Sequence, residues 1–416
     1  MKTLYDSAIT EAISPDEKFN EIAQLIVALG RALQQVGLPS HRIEHCLIQI
    51  AERFQVPVEV LSFGTGQIIS FHRSTGPWTF VLRTQPATAD LDRLSQLTVI
   101  SERLLLGSIT PLAARARIER TMQPTGRPGR AAVVLAYVCS AAAFSVFFGG
   151  GWREVSVATC VGLAVGLIAV AMRRVRQPGR LFELAAAMAA AAIAGTADEV
   201  LGAYGGWIPL AAGLIILLPG MALVDSLEEL ASGQLISGAG RFAGVGVAFL
   251  ALTFGVIVGH SISNFLPDVS NIPPDPLPNW AILPALLVVS VGSLIRFRAR
   301  AADWPVILVA SALALIGSRI AKYYVGDILG MFLASLLLGL IAGVYARWAR
   351  RPHELIVVPG LALLVPGSVG YRSLETLASQ DTDLAISTAF QMFMIAMALV
   401  AGLLFSNALV RQRTID

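Results

Sequence analysis

Apolar residues change their spacing sharply near residue 130. Before that point they recur as stripes and alternations. After it they fill whole turns in blocks of about twenty residues, the length a helix needs to cross a bilayer. In the first part, Ser14-Pro15-Asp16-Glu17 is a helix start with a Ser cap and Pro at the first helical position. It predicts a helix over 15–37 whose stripe is Ile22, Leu25, Ile26, Leu29 and Leu33. A second helix follows Pro39, over 40–54. Alternating stretches between Gly-containing turns predict strands at 58–63, 67–71 and 78–83. Helices near 90–107 and 111–120 lead to the breaker Pro124-Thr125-Gly126-Arg127-Pro128-Gly129. Residues 1–128 therefore read as a small α+β domain.

Ten apolar stretches follow, at 131–149, 155–172, 181–197, 207–224 and 239–262, then at 280–295, 304–320, 326–346, 355–372 and 384–409. A polar, proline-rich segment, 267–278, separates the two sets of five. The fold class is an α-helical polytopic membrane protein. Its membrane halves are 131–262 and 280–410, with the α+β domain ahead of them.

Composition agrees. Charged residues make up 14% of the chain and mean hydropathy is +0.68, whereas a soluble domain carries about 25% charged residues. A net charge of +3 gives no footing for nucleic acid. The three cysteines have neither disulfide nor metal spacing, and the first residues contain no signal-peptide pattern. Charge does fix an expected orientation. With the N-terminus inside, fifteen arginines fall in inner loops, and only Arg153, Arg319, Lys322 and Arg372 fall in outer ones. Both termini and the soluble domain are then expected in the cytoplasm.

The halves are related. Residues 218–232, LPGMALVDSLEELAS, and 365–379, VPGSVGYRSLETLAS, agree at eight of 15 positions at an offset of 147. Gly213-Leu214 matches Gly360-Leu361 at the same offset, and Ile193-Ala194-Gly195 matches Ile341-Ala342-Gly343 at an offset of 148. Units with an odd number of spans must cross in opposite senses. The expectation is two inverted five-helix repeats, the architecture of many secondary transporters.

Each repeat carries Pro-Gly inside a span, Pro219-Gly220 and Pro366-Gly367. Proline removes a backbone donor and clashes with the turn before it. Pro219 lies roughly 18 Å along the helix from Trp207, so spans four and nine should break near mid-membrane. A half-helix starting after the break offers free N–H groups to a carboxylate. Ionisable groups at this depth are functional candidates: Asp225 and Glu228, with Glu229 ranked below them, after the first break, and Glu375 after the second. Ser226, Ser232, Ser373 and Ser379 add hydroxyls. Against this stands the plainer reading in which the helices run straight and these acids are solvated caps.

Other polar residues fit plainer roles. His41, Glu44, His45 and Cys46 share one helix, and His41 and His45 are one turn apart, but no third metal ligand beyond His72 is evident. The preferred reading is a solvated face beside a small buried cysteine. His260 and Asp198-Glu199 read as interfacial, with a proton role the alternative for His260, since an unperturbed imidazole titrates near the working range. Asp327 suits a helix N-terminus, and Gly238–Gly246 reads as a close-packing surface rather than a phosphate loop. No metal or cofactor is called for.

The segment HRIEHCLIQIAERFQV with the strands after it, LPG followed by VDSLEEL, Gly233 and Arg241, and VPGLALLVPGSVGYRSLETLASQD with its doubled Pro-Gly and Tyr371-Arg372, resemble the threonine/serine exporter family. The resemblance covers about residues 18 to 410. It implies a bacterial inner-membrane exporter of threonine and serine with ten spans, driven by the proton motive force. Its partners would be a small polar metabolite, protons and the bilayer, and a homo-oligomer is compatible with it. The motif positions are Pro219, Gly220, Asp225, Glu228, Gly233 and Arg241 in the first half, and Pro359, Gly360, Pro366, Gly367, Tyr371 and Arg372 in the second. The first half has Ala212-Gly213 where the second has Pro359-Gly360. Some bacteria split the halves into partner subunits, and split members resemble exporters of dicarboxylates such as succinate. That alternative needs two cations, Arg241 and Arg372. A third reading, a membrane sensor or hydrolase working through residues 1–128, lacks a nucleophile–base motif there.

Overall fold

The computed structural model describes residues 15–73, 76–84, 89–123, 129–175, 180–201, 207–263, 275–365, 369–370 and 382–410. The chain divides into two compact units, with the boundary between Pro124 and Thr125.

In the first unit, α1 (Pro15–Gln35) and α2 (Ser40–Arg53) bury the stripe the sequence predicts, and Leu25, Ile26, Leu29, Leu47 and Ile50 are fully enclosed. They pack on an antiparallel sheet in the order β1 (Val58–Phe63), β2 (Gly66–Arg73), β3 (Gly76–Arg83). Side-chain amides join the layers. Gln34 Nε2 donates to the carbonyls of Phe63 (2.7 Å) and Gly66 (3.2 Å), and Gln67 Nε2 donates to the Gly30 carbonyl (3.0 Å). Buried amides must find partners, and these two fix how α1 sits on the first hairpin. Helices α3 (Leu91–Leu105) and α4 (Pro111–Thr121) follow, capped by Asp90 and Thr110.

The second unit is helical: α5 (Arg130–Phe147), α6 (Trp152–Met172), α7 (Leu181–Leu201), α8 (Trp207–Leu214), α9 (Gly220–Ala231), α10 (Leu235–Ser263), α11 (Ile282–Arg296), α12 (Trp304–Val325), α13 (Asp327–Ala349), α14 (Glu354–Leu364) and α15 (Thr382–Leu409). Among the described residues seven helices are long and apolar enough to cross a membrane, namely α5, α6, α10, α11, α12, α13 and α15. Their outward faces are apolar too, with Leu135, Leu167, Leu250, Phe254, Leu283 and Phe405 exposed. Helices apolar all round belong in lipid. Exposed Trp152, Trp280, Tyr323, Tyr324 and Trp348 sit near helix ends, where aromatic belts lie. The chain is a polytopic helical membrane protein. Where the sequence predicts three further spans, the described residues hold α7, whose apolar stretch is Leu181–Ala197, the pair α8 and α9, and the short apolar helix α14.

The same helix pairs recur in both halves. Helix α7 packs on α6, α8 and α10, and α13 packs on α12, α14 and α15. The match extends to atoms. A methyl on Gly255 of α10 would lie 2.7 Å from the Leu184 carbonyl and from Ala187 Cβ, and 3.3 Å from Met188 N. A methyl on Gly402 of α15 would lie 2.5 Å from the Phe332 carbonyl and 2.8 Å from Leu336 N, and would overlap Ser335 Oγ. Residue 402 is 255 moved by 147, and 332, 335 and 336 are 184, 187 and 188 moved by 148. Both sets of contacts include backbone atoms, which cannot rotate away. Gly255→Ala and Gly402→Ala are therefore each expected to destabilise the protein by about 1–3 kcal/mol. Thermal melts in detergent would show it; a shift in only one variant would break the equivalence.

The first helices of the two halves run antiparallel. Leu277 N, in the segment entering α11, donates to the Gly150 carbonyl (3.3 Å), just past the end of α5. Further along α11, Ala285 and Val289 pack with Ala143, a methyl on Gly292 would lie 3.7 Å from Ser140 Oγ, and Arg296 comes within electrostatic reach of Tyr137. Position rises along α11 as it falls along α5.

Candidate functional site

Helix α8 ends at Leu214 and α9 starts at Gly220, so the fourth element is broken over residues 215–219. Leu218 precedes a proline and is pushed out of the helical region, and Pro219 cannot donate. Helix α14 ends at Leu364, and Val365 is extended (φ −55°, ψ 133°) immediately before Pro366. The two interruptions meet: a methyl on Gly220 would overlap Val365 Cγ1. Gly220 is thus a point of contact between the halves. Around it Leu223, Val224, Leu361, Leu364, Met392 and Ile395 form one buried cluster.

Helix α9 ends at Ala231 with Ser232 as its cap, and Gly233 (φ +84°) turns the chain into α10. The hairpin brings Arg241 and Ser237 of α10 onto Glu229. Arg241 Nε lies 3.0 Å from Glu229 Oε2, and Ser237 Oγ donates to the same oxygen (2.7 Å). The Glu229 side chain is only 1% exposed and that of Arg241 29%. Asp225, one turn earlier on α9, is half-buried and within electrostatic reach of both. The buried acid is therefore Glu229, which the sequence reading ranked below Glu228; Glu228 is half-buried. Ser226 is fully buried, and its hydroxyl donates to its own helix at Leu223 O (2.7 Å). Pro366, Gly367, Tyr371, Arg372, Ser373 and Glu375 lie outside the described residues.

Two further features gave no clear signal in the sequence. Arg296, counted there among inner-loop charges, ends α11 and donates to the Ile216 carbonyl (3.5 Å) inside the broken segment. At the start of α14, Arg351 lies 3.5 Å from buried Asp303, and His353 Nδ1 lies 3.5 Å from Glu354 Oε2. The glycine-rich 238–246 stretch is close-packed only in part. Gly238 sits against Leu230 and the Ser226 carbonyl, but a methyl at Gly240 or Gly246 would meet nothing within 4 Å. Glycine spacing alone predicts one packing surface there, because it does not say which side of a helix has a neighbour.

In the first unit, Glu44 Oε1 accepts from Ser62 N (2.7 Å) and His45 Nε2 shares a hydrogen bond with Gln49 (3.1 Å). Glu44 and His45 thus serve different partners, and among the described residues no cluster of metal-binding groups forms. Burial pushes the Cys46 thiol up to about 11, against a lowering hydrogen bond to Ser101 Oγ (3.8 Å). The reactive thiolate is therefore scarce at neutral pH. Cys46 is expected to resist maleimide at pH 7.5 in the folded protein and to label on denaturation; mass spectrometry of the labelled peptide would check it.

Residues 24–263 match the family model of the threonine/serine exporters, and residues 280–409 match a second model of threonine/serine exporters, ThrE. The chain belongs to the threonine/serine exporter family. This exporter-family chain is 20% identical over 336 residues to the threonine/serine exporter of Corynebacterium glutamicum, covering 78% of this chain and 68% of that protein. It is also similar to pheromone-regulated membrane protein 10 of Saccharomyces cerevisiae, at 21% identity over 88% of this chain and 50% of that protein. The Candida albicans protein of the same name is 23% identical over 84% of this chain and 33% of its own length. The chain thus spans about two thirds of the bacterial relative and half or less of these yeast relatives. No solved structure matches it. Both membrane halves of this family member fall within matched regions, and so do the break at 215–219, Glu229, Arg241 and Arg296.

Proposed function

We propose that this chain exports threonine, serine and similar small hydroxy amino acids from the cytoplasm, coupled to the proton motive force. Two five-span halves of opposite sense would exchange access about the junction where their broken spans touch. The observation that carries this reading is the contact of Gly220 with Val365, which joins the two interrupted helices at one point in the protein interior. Broken helices are how transporters expose backbone polar groups to a substrate while keeping them out of lipid. The antiparallel course of α5 and α11 supports opposite senses for the halves. Asp225 is the acid placed to meet a substrate ammonium or a coupling proton, because Glu229 is already committed to Arg241 and Ser237. That same commitment disfavours dicarboxylates, since Arg241 is one of the two cations they would need.

The setting is a bacterial cytoplasmic membrane with the first unit and both termini inside. Arginine is concentrated in the loops assigned to that side. Proteoliposomes loaded with labelled threonine, with the lumen as the cytoplasmic side, test the proposal. Efflux should accelerate when the outside is made acidic and slow when a protonophore collapses the gradient. Efflux indifferent to the gradient would refute the coupling, and no efflux of threonine or serine would refute the substrate.

A further inference from the structure

We propose that Arg296 binds the carboxylate of the transported amino acid at the broken segment of the first half. This rests on the export reading above and names the group that would recognise an α-amino acid.

Arg296 closes α11, and its guanidinium donates to Ile216 O at 3.5 Å. That bond is long, and it uses one of five donors. Among the described residues no carboxylate pairs with Arg296. Its other neighbours are the Phe297 ring, 5.8 Å away, and Tyr137 of α5, close enough to feel its charge. Three other arginines of this unit are matched to acids, Arg180 to Glu183 (2.8 Å), Arg241 to Glu229 (3.0 Å) and Arg351 to Asp303 (3.5 Å), whereas exposed Arg319 of α12, like Arg296, has no carboxylate beside it among the described residues. Arg296 is exposed at the end of α11, so its unused donors are open to an anion arriving from solution. A guanidinium meets a carboxylate with two parallel bonds in a fixed plane, which an ammonium cannot do.

The surroundings suit the rest of a zwitterion. Residues 215–219 are not helical, and among the described residues the carbonyls of Ile215, Leu217 and Leu218 accept no hydrogen bond. Free carbonyls beside an unpaired guanidinium offer acceptors for an ammonium next to a donor for a carboxylate. Three elements build the place: α11 supplies the cation, the fourth element supplies the unwound backbone, and α5 closes it with Tyr137. A merely structural role is the competing explanation, because a cation at a helix C-terminus is favourable by itself.

The test compares wild type, Arg296→Gln, Arg296→Lys and Arg174→Gln in proteoliposomes. Arg174 is an exposed loop arginine of equal charge. Export of labelled threonine is measured against concentration, with L-threoninamide as a competitor. Arg296→Gln should raise the threonine KM about tenfold or more. Arg296→Lys should fall in between, and Arg174→Gln should match wild type. Threoninamide should compete poorly against wild type and nearly as well as threonine against Arg296→Gln. Unchanged KM and unchanged discrimination in Arg296→Gln would overturn the inference while leaving the export reading standing. Wild type that moves neither threonine nor serine would overturn both. If Arg296→Gln does not reach the membrane, Arg296→Lys decides: a KM raised threefold or more supports carboxylate binding, and an unchanged KM rejects it.

Discussion

Gly220→Ala is expected to reduce threonine export to about a tenth of wild type, because one added methyl overlaps Val365 Cγ1 where the two broken spans touch. Overpacking of this kind costs about 1–3 kcal/mol, and about 1.4 kcal/mol is a factor of ten. Val365 cannot move aside freely, since its branched side chain is stiff and its backbone ends α14 just before a proline. Gly220 itself opens α9 directly after Pro219. Relief should come from the other side of the contact. Val365→Ala removes the methyls that a residue-220 Cβ would strike, so Gly220→Ala with Val365→Ala should regain most of the lost export. Rates must be normalised to protein in the membrane, and detergent melts of all three variants show whether fold or transport is affected. Normal export by Gly220→Ala alone would mean that the halves do not meet there during turnover.

Glu229→Gln should destabilise the protein by about 3 kcal/mol, because it leaves Arg241 without its anion. The side-chain exposure of Arg241, 29%, places the cost at the low end of what such losses produce. Ser237 would also lose a charged acceptor. Glu229→Gln combined with Arg241→Gln removes both charges together, and it should be more stable than Glu229→Gln alone. Glu228→Gln, one residue earlier and half-buried, should change stability much less. Melting temperatures of the four variants in one detergent would check the ordering. Equal melting of Glu229→Gln and wild type would show that the ion pair does not tie α9 to α10.

The spans and the break at Pro219 could be read from sequence because each has a local cause. A block of about twenty apolar residues needs lipid, and a proline after Leu218 ends the helical conformation wherever the segment lies. The repeat could be read because substitutions had spared Pro, Gly and the SLExLAS run at one offset. Which acid is buried could not. Glu228 and Glu229 are 100° apart around α9. Only the turn at Gly233, which folds Ser237 and Arg241 back onto one face, separates them. Arg296 was hidden for a related reason. Loop arginines counted for orientation all look alike, and only the tertiary contact with Ile216 sets this one apart. In the first unit the helix stripes were plain, but the Gln34 and Gln67 ties to the backbone were not, because a buried amide's partner lies about thirty residues away.

Opposite sense in the two halves is best tested by thiol labelling of intact cells. In a background with Cys46, Cys139 and Cys160 replaced, single cysteines are placed at Trp152, which starts α6, and at Ala301, which lies just before α12; both are exposed. A membrane-impermeant maleimide should label the Trp152→Cys protein from outside, and the Ala301→Cys protein only after the membrane is opened. Labelling of both from the same side would contradict inverted halves.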